Sequence, residues 1–408
     1  MDSSSTYARQ LDAEDVLAPF RDRFIIPPHG EASQCYFLGN SLGLQPRSTA
    51  LHIQRVLDQW AAHGVEAFFL GSDPWLELHE QLAGPMAQLV GAKPAEISIM
   101  NQLTVNLHLL LVSFYRPTGK RIKILCEKKA FPSDQYMLET HVKHLGFDPE
   151  EVIVEAAAED MLNTIEQQAD ELALVFLGGI NYYTGQVLDM QAITAKARKH
   201  AIPVGYDLAH AAGNIPLDLH AWQVDFAAWC TYKYLNAGPG AVGAVFIHER
   251  HHQNPDLHRF AGWFGYEKAT RFQMQKGFKP VPTAEGWQLS TPSILLYACL
   301  QASLSIFEEA GWDQLQQKQQ RMQDYLWLLL TDLQKFKPAF QILTPEHERG
   351  AQLSLYFPER GREIYDDLMQ QGFIIDWREP NVIRLAPVPL YNTFTEIWQF
   401  ATALKKLL

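Results

Sequence analysis

Cysteine is scarce in this 408-residue chain: Cys35, Cys126, Cys230 and Cys299 lie far apart in sequence. No two have CxxC spacing, which argues against zinc ribbons and dithiol redox chemistry. Free thiols in a reducing compartment are the reading that remains, so the cytoplasm is the expected location. Long apolar runs are also missing. "YLWLLL" is too short to span a bilayer, and the short "LTVNLHLLLVSFY" carries Asn106 and His108. The N-terminal "MDSSSTYARQLDAEDVL" has neither the basic region nor the apolar core of a signal peptide. Positive charge is in deficit: the formal net charge is -12. That balance argues against nucleic acid as a partner, while leaving small anions open, because a helix N-terminus binds anions on an acidic protein too. Internal repeats and low-complexity linkers are absent.

An ordinary globular composition is present, 47% hydrophobic and 20% charged. The length predicts two domains. "TALHIQRVLDQWAAHG" has apolar residues at helical spacing and stops at Gly64. From about residue 95 strands and helices alternate. "AEISIMN", "RIKILCE", "LALVFLGGI", "IPVGYD", "VDFAAWC" and "AVGAVFIHE" read as strands. "LTVNLHLLLVSFY" and "MQAITAKARKH" read as helices. This is an α/β pattern, a mostly parallel sheet covered on both faces. After a long helix in "LSTPSILLYACLQASLSIFEEAG", the short strands "QLSLYFP", "IIDWR" and "VIRLAPV" predict a smaller α+β unit. The expected division is a segment 1–50 packing on the small domain, a large domain 51–300 and a small domain 301–408.

Ligands of open parallel sheets bind beyond the carboxyl ends of the strands. There stand Leu103 and Thr104 opening a helix, the turn-like Phe131–Pro132–Ser133–Asp134 stretch, Asp207 with His210, and Tyr232 with Lys233. Each has an ordinary reading: Thr104 and Asp207 as helix caps, "FPSD" as a turn, His210 as a partly buried histidine. Lys233 shifts the balance. Between Val224 and Ile247 the only charged residues are Asp225 and Lys233, so much of this run should be buried. An ammonium there is costly unless it is paired, neutral or covalently bonded. Pyridoxal phosphate asks for a lysine at its aldehyde, a carboxylate at its pyridine nitrogen and donors for its phosphate. Lys233, Asp207 and the Thr104 helix start supply that set, with Phe131 as an aromatic face for the ring. Gly238, Gly240 and Gly243 spell GxGxxG, but they lead into a strand rather than a helix, which rejects a nicotinamide site. Arg384, on a short strand of the small domain, offers a fork for a substrate carboxylate. No metal site is read.

"FLGNSLGLQP", "LTVNLHLLL", "AFPSDQY", "YTGQVLDM", "YDLAHAAGN", "DFAAWCTYKYLNAGPG", "GWFGY", "TRFQM" and "RLAPVPLYNTF" together resemble kynureninase, from about residue 35 to about 400. The resemblance implies the aspartate-aminotransferase-like fold of fold-type I pyridoxal phosphate enzymes, and a homodimer. It implies hydrolysis of L-kynurenine or 3-hydroxy-L-kynurenine to L-alanine and anthranilate or 3-hydroxyanthranilate, in tryptophan breakdown or NAD synthesis. Lys233 resembles the lysine that bonds the cofactor aldehyde, and Asp207 the partner of the pyridine nitrogen. Leu103, Thr104, Ser133, His210 and Tyr232 resemble cofactor and phosphate contacts. Phe131 matches the stacking aromatic and Asp134 its motif partner. Tyr232 is the implied acid/base. Trp263 and Thr291 resemble residues lent by the neighbouring subunit, Thr291 also facing the substrate. Ser41 and Arg384 match positions facing the substrate amino acid. Gly178 departs from the family, which commonly carries Ser or Thr there, and the segment from His63 to Trp75 matches poorly. The rival readings are a cysteine desulfurase-like or aminotransferase-like enzyme of the same fold, and an inactive scaffold. A desulfurase needs a catalytic cysteine on a mobile loop, and none of the four stands in such a place.

Overall fold

The computed structural model describes residues 2–408. Its main sheet has seven strands: β1 (Ile97–Ile99), β2 (Lys123–Glu127), β3 (Ile153–Ala156), β4 (Leu172–Gly178), β5 (Val204–Asp207), β6 (Phe226–Cys230) and β7 (Gly243–Ile247). Their spatial order is β1-β7-β6-β5-β4-β2-β3. All neighbours pair parallel except β7, which runs antiparallel to both β6 and β1. Strand alternation sends successive side chains to opposite faces. Ala227 and Trp229 of β6 join one apolar core, with residues of the helices Leu78–Val90 and Ile294–Ala310. Phe226 and Ala228 join another, under the helices Leu103–Phe114 and Pro132–His144. Both faces are therefore covered, which explains the unbroken apolar strands.

A second sheet holds β8 (Gln341–Ile342), β9 (Leu353–Tyr356), β10 (Asp376–Arg378) and β11 (Val382–Leu385), in the order β8-β9-β11-β10 and antiparallel throughout. Its core includes Met322 to Leu333 of the helix Trp312–Phe336 and Phe394 to Leu404 of the last helix. Leu300 to Leu315 belong to the core of the main sheet. The passage between cores thus falls inside the helix Trp312–Phe336, and we propose the domain division there rather than near residue 300. The N-terminal segment touches both units. Ala8, Leu11 and Phe37 join the smaller core, while Leu17, Phe24 and Leu44 join the larger one. Asp12 accepts the Phe394 and Thr395 backbone N–H groups at 2.6 and 3.0 Å, capping the last helix. None of the described helices is long and apolar enough to cross a membrane.

Candidate active site

The carboxyl ends of β1, β2, β4, β5 and β6 open on one cavity of about 310 Å³, closed from the far side by β10 and β11. Ser41, Leu103, Thr104, Phe131, Ser133, Asp134, Asp207, His210, Tyr232, Lys233 and Arg384 all line it. Pro132 occupies the first turn of the helix after Phe131, where its missing N–H costs nothing, and does not reach the cavity. Trp263 and Thr291 do not line the cavity of their own chain. Trp263 is 40% exposed, Thr291 is exposed, and Trp263 stacks edge-on with Phe272 at 5.3 Å.

Two helix starts face each other across one end. The helix Leu103–Phe114 has no side-chain cap at Gln102, and Pro132–His144 has none at Phe131. Their first N–H groups lack intrahelical partners, and Thr104 Oγ lies 2.9 Å from Ser133 Oγ. Two hydroxyls and two positive helix ends make an anion cradle.

Three carboxyl groups also gather on the cavity wall: Glu127 at the end of β2, Asp134 and Asp207, all buried. Burial pushes Asp134 well above the usual carboxylate range, and the Asp207 charge adds to it. Burial also raises Asp207, but Lys233, the Ala209 N–H at 2.7 Å and a bond from Asp134 pull it back. The Ala209 N–H and the nearby Lys233 thus favour the charged form at Asp207 over Asp134. Lys233 is half-buried rather than fully enclosed, with Nζ 5.9 Å from the Phe131 ring centroid. Burial, then Lys233 and Arg384, hold His210 well below the usual histidine range, so its ring is neutral. Its buried Nδ1 has no partner within the described chain.

Glycine is required behind the lysine loop. A Cβ on Gly43, in "NSLG", would stand 2.4 Å from the Lys233 carbonyl oxygen and 2.2 Å from Asn236 Oδ1. The Gly43 N–H donates to the Tyr232 carbonyl at 2.8 Å. At Gly178 a Cβ would meet Glu127 Oε1 at 2.9 Å, so the carboxyl of Glu127 crowds the space a larger residue would take.

Glu127, Tyr182 and Arg378 also line the cavity and were missed in the sequence. Glu127 closes an apolar strand as Asp207 does, and the same strand-end rule would have found it. Arg378 sits two residues beyond Asp376, on the same face of β10. Arg384 is engaged more fully than a waiting fork. Its Nε donates to Asp376 at 2.9 Å, its Nη2 to the same oxygen and its Nη1 to the Tyr182 carbonyl. At 1% exposure it is no surface arginine.

Glu127 yields a pH prediction. Burial, opposed by the Asn181 amide and assisted by the Asp207 charge, raises it from 4.5 to about 8. Between those values the folded protein keeps a proton that the unfolded chain has lost, so stability falls as pH rises through that window. The full effect is on the order of a few kcal/mol. Urea midpoints of the cofactor-free chain should drop from pH 5 to pH 8, and Glu127→Gln should drop less. Equal drops would show that Glu127 is already ionised at pH 5.

Among solved structures, the cystine C-S lyase C-DES, bound to glycine linked to its PLP cofactor, superposes with a TM-score of 0.78 at 22% identity. That match covers 94% of this chain and 98% of the other. An apo cysteine desulfurase from Thermococcus onnurineus gives 0.74 at 16%, over 92% and 94%. The fold is that of the fold-type I pyridoxal phosphate enzymes. Curated relatives are far nearer in sequence. The kynureninase of Flavobacterium johnsoniae is 50% identical over 98% of this chain and 97% of its own. That of Myxococcus xanthus is 49% identical over 99% and 97%, and kynureninase 2 of Emericella nidulans 46% over 99% and 94%. The kynureninase C-terminal domain model matches residues 315–404. The chain belongs to the kynureninase family.

The cavity fits pyridoxal phosphate on its own chemistry. The cradle at Thr104 and Ser133 suits the phosphate, charged Asp207 the pyridine nitrogen, and Lys233 the aldehyde.

Proposed function

We propose that this chain hydrolyses the Cβ–Cγ bond of L-kynurenine and 3-hydroxy-L-kynurenine, releasing L-alanine with anthranilate or 3-hydroxyanthranilate. The observation that carries the reading is the convergence of Lys233, Asp207 and the Thr104–Ser133 pair on one cavity in a chain of this family. No cysteine lines that cavity, and burial pushes Cys126 up to about 12, which disfavours a thiolate-based desulfurase. The four free cysteines support a reducing, cytoplasmic setting.

Bound pyridoxal phosphate supplies an electron sink for the carbons next to the substrate nitrogen. The chain supplies the rest. Asp207 balances the positive pyridine nitrogen, and protonated Asp134 behind it keeps that charge on Asp207. Lys233 would hold the aldehyde of the bound group, and its amine, when free, is the base placed to take the substrate's Cα proton. Tyr232 is held as a phenol, because burial raises it, with Cys230 adding, and so donates a proton as the bond between Cβ and Cγ breaks. Water attacks the γ-carbonyl, so one water is consumed for each alanine released. Ser41 and the arginines of β10 and β11 hold the amino-acid end, which fixes the scissile bond.

The direct test incubates the loaded protein with each ketone. L-alanine should appear in step with the aryl acid, and no alanine from either would sink the reading. The 3-hydroxy substrate should be used at least as well as L-kynurenine. Thr291 offers only a short hydroxyl near the aryl ring, and an unpaired phenol costs about 1–3 kcal/mol. A tenfold preference for L-kynurenine would show that this cost outweighs the overall likeness to enzymes of the 3-hydroxy substrate.

We further infer a homodimer whose subunits exchange Trp263 and Thr291. Both face outward, and Trp263 lies in an exposed aromatic group with Phe272 and Phe69. Mixing Lys233→Ala with Trp263→Ala subunits should restore part of the activity through one intact hybrid site. Mixed dimers that stay inactive would place Trp263 at its own subunit's site or at none.

A further inference from the structure

We propose that Glu96, His220 and His248 form a binding site for a divalent metal ion of the zinc class, at the edge of the main sheet away from the cavity. Glu96 closes the short turn Pro94–Glu96 that leads into β1, His248 directly follows β7, and His220 lies in the connection between β5 and β6. Because β7 runs antiparallel to β1, its end lies beside the start of β1. No motif spacing marks the group, since the three residues meet only through the order of the sheet.

Each residue presents one ligand atom, and the three lie within 4.8 Å of one another. His220 Nδ1 stands 2.9 Å from Glu96 Oε1, and His248 Nδ1 stands 3.6 Å from the same oxygen. Ligands about 2.1 Å from a tetrahedral zinc stand about 3.4 Å apart, so these two separations bracket what an ion needs. Glu96 is fully buried. Its carboxylate is aimed by the Glu249 N–H at 2.9 Å and the Lys93 N–H at 3.0 Å, the outer support that metal-binding carboxylates rely on.

His248 is the residue that a purely structural clamp does not explain. It is 4% exposed, and its Nδ1 is too far from Glu96 for a hydrogen bond. That nitrogen accepts only the Arg250 N–H at 3.3 Å, and the buried Nε2 has no partner within the described chain. Burial, then Arg250, pushes the ring down to about 4, so it is neutral and keeps a lone pair for a metal. The neighbouring cations are already paired, Lys93 with Glu249 and Arg250 with Asp225, each at 2.6 Å. The His220 side chain is 28% exposed, which gives an ion a way in and a water the fourth position. The ion displaces the proton between His220 and Glu96, which passes to solvent.

The test titrates cobalt(II), a coloured stand-in for zinc, into the cofactor-loaded protein after dialysis against a chelator. One ion per chain should bind, with the visible bands of a tetrahedral site, and zinc should abolish them. His220→Ala should weaken zinc binding at least about a hundredfold, since outer-support changes alone cost up to about that much. His220→Gln keeps an N–H for Glu96 but not the imidazole. It should lose the ion while its metal-free melting temperature stays that of the original. No saturable ion, or unchanged zinc affinity in either variant, would overturn the proposal and leave Glu96 as a clamp between segments. Zinc held by other histidines would persist in both variants and so give that second outcome.

Discussion

Asp207→Ala should lower turnover by about a hundredfold or more while the protein still binds its cofactor. The carboxylate sits at the end of β5, held by the Ala209 N–H and by the proton of Asp134. It is the one group at that end placed to carry a full negative charge against the pyridine nitrogen. Removing a preorganised charge of this kind from a dry site costs about 100- to 1,000-fold in rate. The phosphate cradle is built from other side chains, Thr104 and Ser133, so the cofactor should still be held. The check is kcat at saturating cofactor, with occupancy read from absorbance. A near-normal rate with full occupancy would remove Asp207 from the role. Asp134→Asn should be much milder, because an amide replaces a carboxyl already held neutral.

Lys233→Ala should cost more, about a thousandfold or beyond. The same amine is asked to bond the aldehyde and to move the Cα proton, and proton transfer alone is worth about 100- to 10,000-fold. Borohydride treatment of the unaltered, loaded protein should bleach its yellow colour and leave the cofactor attached. Peptide mass mapping should find the adduct on Lys233. An adduct on another lysine would overturn the assignment, and so would turnover in the variant within tenfold of the original.

Much of this site was legible because strand ends are punctuated. A polar residue closing an apolar strand has few reasons to be there, and that logic found Thr104, Asp207 and Lys233. It reached neither Glu127, passed over inside "KILCEKKAF", nor Arg378, whose three-residue strand is half-buried and shows no strong pattern. Arg384 was found by residue type, but its partners could not be read, since Asp376 meets it only through cross-strand register. The antiparallel direction of β7 was hidden because all five residues of β6 and of β7 are buried. The connection held the clue. Twelve residues separate the two strands, the lower limit for a parallel crossover, and Gly238, Pro239 and Gly240 among them leave no room for its helix.

That reversal also sets the tempo of the lysine loop. It hangs between two central strands rather than on a crossover, and it is tied internally. Ala237 N–H donates to the Thr231 carbonyl at 3.0 Å, Asn236 N–H to the Lys233 carbonyl at 3.0 Å, and the Thr231 hydroxyl to Val242. Gly43 closes it from behind. The buried, bonded amides of Asn236 and Ala237 should therefore exchange slowly, in contrast to the exposed tip at Pro239 and Gly240. The amine then waits at the end of a rigid mount, and only its own four-carbon stem has to move. Cofactor capture becomes a matter of entry through the mouth of the cavity, with no folding step in the loop to wait for.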